Sequence, residues 1–220
     1  MSDGGPAVHS NSYFGLYPAI VTDIVDPDRL GRVQVRYPWL GDAETDVRAW
    51  ATLLTPYADD NQGFLALPEV GTQVVVGFEA GALRRPYVVG SCWNGRETMP
   101  VTPTRPNDRR VIKTRSGSLL EFDDSAAGPK VTLQTKHGHK VVLDEASRQL
   151  SVTHQDGSTV TFTAAGQIQV RANATVEVTA AALNVHAPIA VFDGIVTCTN
   201  MIASVGVVSP SYTPGAGNVW

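Results

Sequence analysis

After Arg171 the chain has no Lys or Arg, and after Asp193 it has no charged side chain of either sign. Phosphate binding rests on Lys and Arg, so that end of the chain cannot hold a nucleic acid by charge. Cysteine is nearly absent: Cys92 and Cys198 lie far apart in dissimilar segments, which argues against a disulfide framework. Charged residues make up 17% of the 220, below the usual quarter. No run of eighteen apolar residues occurs, so no membrane-spanning helix is expected. The opening MSDGGPAVHSNS has neither the basic nor the apolar region of a signal peptide, and synthesis in the cytoplasm is expected. No segment carries a clear helical period. Catalytic signatures are missing too: there is no G-x-S-x-G, no H-E-x-x-H and no phosphate loop. The expectation is that the chain is not an enzyme and carries no cofactor.

What is present is strand and turn. Gly and Pro number 20 and 14, and Val and Thr recur in short alternating runs. Between residues 13 and 93 the runs YPAIVTDIV (17–25), RVQVRYPWL (32–40), GTQVVVGFEA (71–80) and RPYVVGSCW (85–93) read as strands. VRAWATLLTPY (47–57) fits strand or helix. Five short strands in about eighty residues suit a small closed barrel of the oligonucleotide/oligosaccharide-binding (OB) type. Such barrels can bind single-stranded nucleic acid, and Arg32, Arg36, Tyr37 and Trp39 are the residues that hint at it. Residues 1–93 nevertheless carry 6 Lys/Arg against 11 Asp/Glu, which argues against a nucleic-acid partner. Residues 1–12 read as a flexible N-terminus and the Pro-rich, basic stretch 94–116 as a linker.

From 117 to 193 apolar pairs recur with one polar residue between them. They are Val131/Leu133, Val141/Leu143, Leu150/Val152, Val160/Phe162, Ile168/Val170, Val176/Val178, Leu183/Val185 and Ile189/Val191, with Val196/Cys198 beyond. The spacing shortens from ten residues to six or seven toward the C-terminus. Units of this kind cannot bury their apolar faces alone and must stack. A single chain offers one apolar face and nothing to lay on it. Each bare pair forgoes roughly 3–5 kcal/mol, and its edges invite aggregation. Three copies wound about one axis into a three-sided prism solve both problems. The expected trimer core comprises Val160, Phe162, Ile168, Val170, Val176, Val178, Leu183, Val185, Ile189 and Val191.

Four stretches carry a family resemblance: DPDRLGRVQVRYPWL (26–40), LPEVGTQVVVGFEAGALRRPYVVGSCWNG (67–95), IKTRSGSLLEFDDSAAGPKVTLQTKHGHKVVLDE (112–145) and VVSPSYTPGAGNVW (207–220). The chain resembles the trimeric spike of contractile injection systems: phage baseplate assembly protein V, the spikes of extracellular phage-tail-like particles and the valine–glycine repeat spikes of type VI secretion. The resemblance implies an all-β fold, with an OB-type barrel over 13–93, an intertwined homotrimeric β-helix or prism over 117–193, and a tip with its C-terminal segment over 194–220. It implies a structural role on the axis of a phage-tail-like particle, one that can be released outside the cell. The implied partners are a hub protein at the barrel, a small conical tip protein of the proline–alanine–alanine–arginine (PAAR) repeat type, and transiently a target membrane. Tyr212, Pro214, Gly215, Asn218 and Trp220 are the expected tip-docking residues. The alternative within this class is a tail fibre or adhesin. Some relatives carry a lysozyme-like domain between barrel and prism, where this sequence has only the 94–116 stretch.

One motif looks like a metal site. In HGH (137–139), His137 and His139 stand two apart, and strand geometry would point them the same way. Yet TKHGHKVVLDE (135–145) repeats the form of TRSGSLLEFDD (114–124), which favours a structural turn. His154 ends a strand before a QDG turn, and His186 reads as surface. The acidic pairs Asp123/Asp124 and Asp144/Glu145 fall at repeat ends, where turns favour Asp.

Overall fold

Alternation builds the N-terminal half. In the computed structural model, which describes residues 12–41, 45–206 and 208, β1 (Tyr17–Asp23), β2 (Arg32–Arg36) and β3 (Arg48–Leu53) each turn every second side chain inward. A two-residue hairpin, β4 (Ala58–Asp59) and β5 (Gln62–Gly63), interrupts the series. β6 (Gln73–Phe78) and β7 (Pro86–Ser91) pair antiparallel across a short 3-10 turn at Glu79–Gly81. The order β1-β2-β3-β7-β6 closes on itself as a five-stranded barrel; only the β3–β7 contact is parallel. Val21, Val33, Val35, Tyr37, Val74, Val76 and Val88 fill it, with Ala19 and Ala51 where strands approach closely. The segment 47–57, ambiguous in sequence, resolves as strand β3.

The β1–β2 connection is held by one carboxylate. Asp26 accepts hydrogen bonds from the backbone of Asp28, Leu30 and Arg32 and from the Arg32 guanidinium, whose Nε and terminal nitrogen lie 2.9 and 2.7 Å away. Its side chain is only 4% exposed. These contacts, the Arg32 side chain foremost, hold the Asp26 carboxyl well below its usual range.

A second sheet follows: β8 (Arg109–Lys113), β9 (Leu119–Asp123), β10 (Lys130–Gln134), β11 (Lys140–Asp144), β12 (Gln149–Thr153), β13 (Thr159–Phe162) and β14 (Ile168–Arg171). It is an antiparallel meander, each strand pairing with the next. β8 lies inside the stretch expected to be linker, so the strand series begins at Arg109 rather than after 116. The basic run that read as polar linker places its residues alternately on both faces of a strand. Arg115, just past β8, reaches Glu69 of the barrel domain at 2.9 Å.

One turn form recurs in the β8–β9, β10–β11, β12–β13 and β13–β14 connections of this sheet. The amide of Thr114 donates to the carbonyl of Ser118, Thr135 to His139, His154 to Ser158 and Thr163 to Gln167, each with a glycine amide donating back to the first residue. The glycines, 117, 138, 157 and 166, have φ between 77° and 98°, a region that side chains disfavour. The recurrence of TRSGS and TKHGH is therefore turn chemistry, and HQDGS and TAAGQ are further copies of it.

Residues 174–220 form a separate unit. Its described residues, 174–206 and 208, carry no strand and are all exposed. The strands expected around Val176/Val178, Leu183/Val185 and Ile189/Val191 find no ladder partner among the described residues. The intertwined prism itself is not formed by one copy. Among the described residues no helix is long and apolar enough to cross a membrane.

Candidate functional site

The registers of the second sheet sort its residues onto two faces, because residues directly opposite in an antiparallel pair share a side. Glu121 faces Val111 and Thr132, Thr132 faces Val142, Val142 faces Ser151, Ser151 faces Thr161 and Thr161 faces Gln169. With their flanking Lys, Asp, Gln and Thr these residues make a polar side. Glu121 is its most enclosed carboxylate, bound by the Arg109 guanidinium.

The other side of the paired strands carries two columns of apolar residues. One column runs Phe122, Val131, Leu143, Leu150, Phe162, Ile168; the next runs Ile112, Leu120, Leu133, Val141, Val152, Val160, Val170. Only Arg110, at the head of the first column, breaks the pattern. None of the thirteen is buried, and Ile168 is 64% exposed. A half-exposed aliphatic side chain forgoes roughly 1 kcal/mol, so the face forgoes on the order of 10 kcal/mol. An uncovered patch of this extent marks an interaction site.

Of the residues expected in a trimer core, Val160, Phe162, Ile168 and Val170 lie together on this face. Val176, Val178, Leu183, Val185, Ile189 and Val191 belong to the other unit, where each is more than half exposed. The tip-docking residues Tyr212, Pro214, Gly215, Asn218 and Trp220 lie outside the described residues.

The residues that hinted at nucleic-acid binding are engaged elsewhere. Arg32 is held by Asp26 and Asp28 and lies over the Trp50 ring; Arg36 approaches Asp46 at 3.7 Å. Tyr37 is 1% exposed, so its ring offers no face for a base. Burial pushes its phenol up to about 12. Trp39 stacks on Tyr17 at 4.7 Å and donates its indole N–H to Pro18.

His137 is exposed in the turn, whereas His139 sits half-buried at its end. The imidazole beside His139 is that of His154, with ring centres 4.5 Å apart. Sequence reading passed over this pair because its members lie in different repeats; the shared turn form was the available signal. Asp123 and Asp144 accept backbone hydrogen bonds from Ser125 and Ser147, which lower both carboxyls. They are turn residues. Cys92 and Cys198 are free thiols. No group of three or more His, Cys, Asp or Glu stands ready for a metal among the described residues.

A feature the sequence reading missed lies on the barrel. Leu54, Tyr57, Phe64 and Leu65 are more than half exposed around the β4–β5 hairpin. Tyr57, Phe64 and Leu65 line a hollow of about 570 Å³ together with Leu30, Leu53 and Gln62. The run LLTPYADDNQGFLALPEV, apolar on both sides of an acidic turn, was its signal.

Comparison with known proteins places this architecture. Residues 17–93, β1 through β7, match the family described as the type VI secretion system/phage-baseplate injector OB domain. The chain is 26% identical over 140 residues to the type VI secretion system spike protein VgrG5 of Pseudomonas aeruginosa, an alignment covering 61% of this chain and 17% of that protein. It is 28% identical over 137 residues to the spike protein VgrG1a of the same organism, covering 60% and 20%. To the actin cross-linking toxin VgrG1 of Vibrio cholerae it is 25% identical over 116 residues, covering 50% and 11%. The chain thus spans a fifth or less of the length of these relatives. The barrel thus matches the injector OB domain family, and the chain is similar over part of its length to VgrG spike proteins. The resemblance covered phage, extracellular-particle and type VI spikes alike; the relatives named here include type VI spike proteins.

Proposed function

We propose that this chain is the central spike of a contractile injection machine, acting as a homotrimer without catalysis or cofactor. One observation carries the reading: an injector OB barrel is followed by a sheet whose apolar face has nothing within the described residues to cover it. Two further copies supply the cover and, at the same time, the ladder partners that residues 174–206 lack. The barrel serves as the adaptor to a ring-shaped hub. The charge-poor C-terminal segment forms the narrow end, receives a small conical PAAR-type tip protein and enters the target envelope when the sheath contracts. A segment without charges is suited to that passage, because a buried charge in a bilayer costs several kcal/mol. The chain is made in the cytoplasm and becomes part of a phage-tail-like particle.

The test is electron cryo-microscopy of the assembled particle. The reading expects one trimer on the particle axis beneath the hub. Several copies radiating from the baseplate rim would make the chain a fibre or adhesin.

A further inference from the structure

The geometry points to a divalent transition-metal site formed by His139 and His154 across the β11–β12 pair. Its first support is register. Lys140 and Thr153 are cross-strand partners, so the residues one step outward, His139 and His154, stand opposite each other on the apolar side, in line with Val141 and Val152. Both backbones are fixed by the recurring turn: the His139 carbonyl accepts from Thr135, and the His154 amide donates to Ser158 at 2.8 Å. The two imidazoles are therefore placed by four strands and two turns rather than by flexible loops.

The second support is distance. With metal–nitrogen bonds of about 2.0–2.1 Å, two imidazoles bound to one ion have ring centres about 4.5 Å apart at a right angle and about 5 Å apart at a tetrahedral one. The observed separation is 4.5 Å, with ring planes 56° apart, a tilt unlike that of a stacked pair. They line one hollow of about 210 Å³ with Leu133, Val141 and Val152.

The third support is the partner behind His154. Its Nδ1 lies 2.9 Å from the Asp156 carboxylate. The Asp156 amide also lies 3.4 Å from this nitrogen; in the tautomer that donates Nδ1–H to the closer carboxylate, Nε2 keeps its lone pair, the arrangement by which a carboxylate orients a metal-binding histidine. A pair of imidazole donors suits Ni²⁺ and Cu²⁺, with water completing the shell. Lys140 also lines the hollow, and its charge weakens the site without blocking it. A bound ion would tie β11 to β12 at the rim of the apolar face. The pair differs from His137 and His139, the candidates suggested by sequence, and the inference does not depend on the spike reading.

Isothermal titration of the full chain with Ni²⁺ at pH 7.5 tests it. One ion per chain is expected. His139→Gln and His154→Gln should each weaken binding at least about 10-fold, and Asp156→Asn by about 10-fold through the lost orientation. His137→Gln should leave the isotherm unchanged. Circular dichroism of each variant separates loss of ligand from loss of fold. Absence of binding by the native chain, or binding that survives both His139→Gln and His154→Gln, would overturn the assignment. So would an effect of His137→Gln equal to that of His139→Gln.

Discussion

Val160 and Val170 stand directly opposite each other across β13 and β14, and neither is buried. Cross-strand valines on a finished sheet face a second layer; these face nothing within the described residues. The same holds for every apolar pair back to Ile112 and Leu120. The account of function rests on that relationship.

A charge on this face should break the assembly while a charge on the other face should not. Val152→Asp and Val160→Asp each place three unpaired carboxylates inside a trimer, at a cost of several kcal/mol apiece. Gln169→Asp lies on the polar side and should be tolerated. Val176→Asp with Val178→Asp should act like the first pair. Light scattering of the purified variants reads the result: loss of trimer for the apolar-face changes, and retention for Gln169→Asp.

Within the barrel, Tyr37 carries a hydroxyl that is buried with no hydrogen-bond partner among the described residues. Such a group costs about 1 kcal/mol or more, so Tyr37→Phe should raise stability by about 1 kcal/mol in urea unfolding. There is also an alkaline signature. The phenol is pushed up to about 12 in the fold, against an ordinary value of about 10. Its ionisation leaves stability unchanged below pH 10 and lowers it as pH rises from 10 toward 12, where the unfolded chain releases the proton first. Tyr37→Phe should remove that part of the alkaline loss. A variant less stable than the native barrel at pH 7 would show that the hydroxyl has a partner.

Asp26 and Arg32 offer the opposite sign. The Asp26 carboxyl is lowered in the fold, so its contribution is present above the ordinary value of about 4 and is lost as pH falls through the folded value. Asp26→Asn keeps the shape but weakens the hold on Arg32, and should lower the melting temperature by about 5 °C at pH 7. The difference between native and variant chains should shrink below pH 4. Melting curves at pH 7 and pH 3 check both statements.

The C-terminal segment carries its own expectation. A chain ending at Asp193 should still trimerise, because the sheet face remains, but should no longer retain the tip protein in a pull-down. Equal retention by the shortened chain would place tip docking elsewhere.

Much of this was legible in the sequence because alternation is a direct statement about faces. Val33 and Val35, or Val141 and Leu143, can sit on one side of a strand only, and both pairs do. The barrel closed as its five runs suggested. What stayed hidden depends on contacts between distant residues. The stretch 94–116 read as linker because Arg109, Arg110 and Lys113 are polar, yet the chain 109–113 pairs with β9 through its backbone, which composition does not report. His139 and His154 were invisible as a pair because only the β11–β12 register brings them together. Tyr37 looked available for stacking because nothing local shows that the barrel closes over it. The segment 174–206 has the composition of strand, but composition cannot supply the partner that a ladder needs.

The most direct measurement is the mass of the full chain in solution by analytical ultracentrifugation, with circular dichroism on the same sample. The account expects a folded species of three times 23.4 kDa, persisting on dilution. A stable, folded monomer of 23.4 kDa would contradict it, since the apolar face of β8–β14 would then be at rest in water.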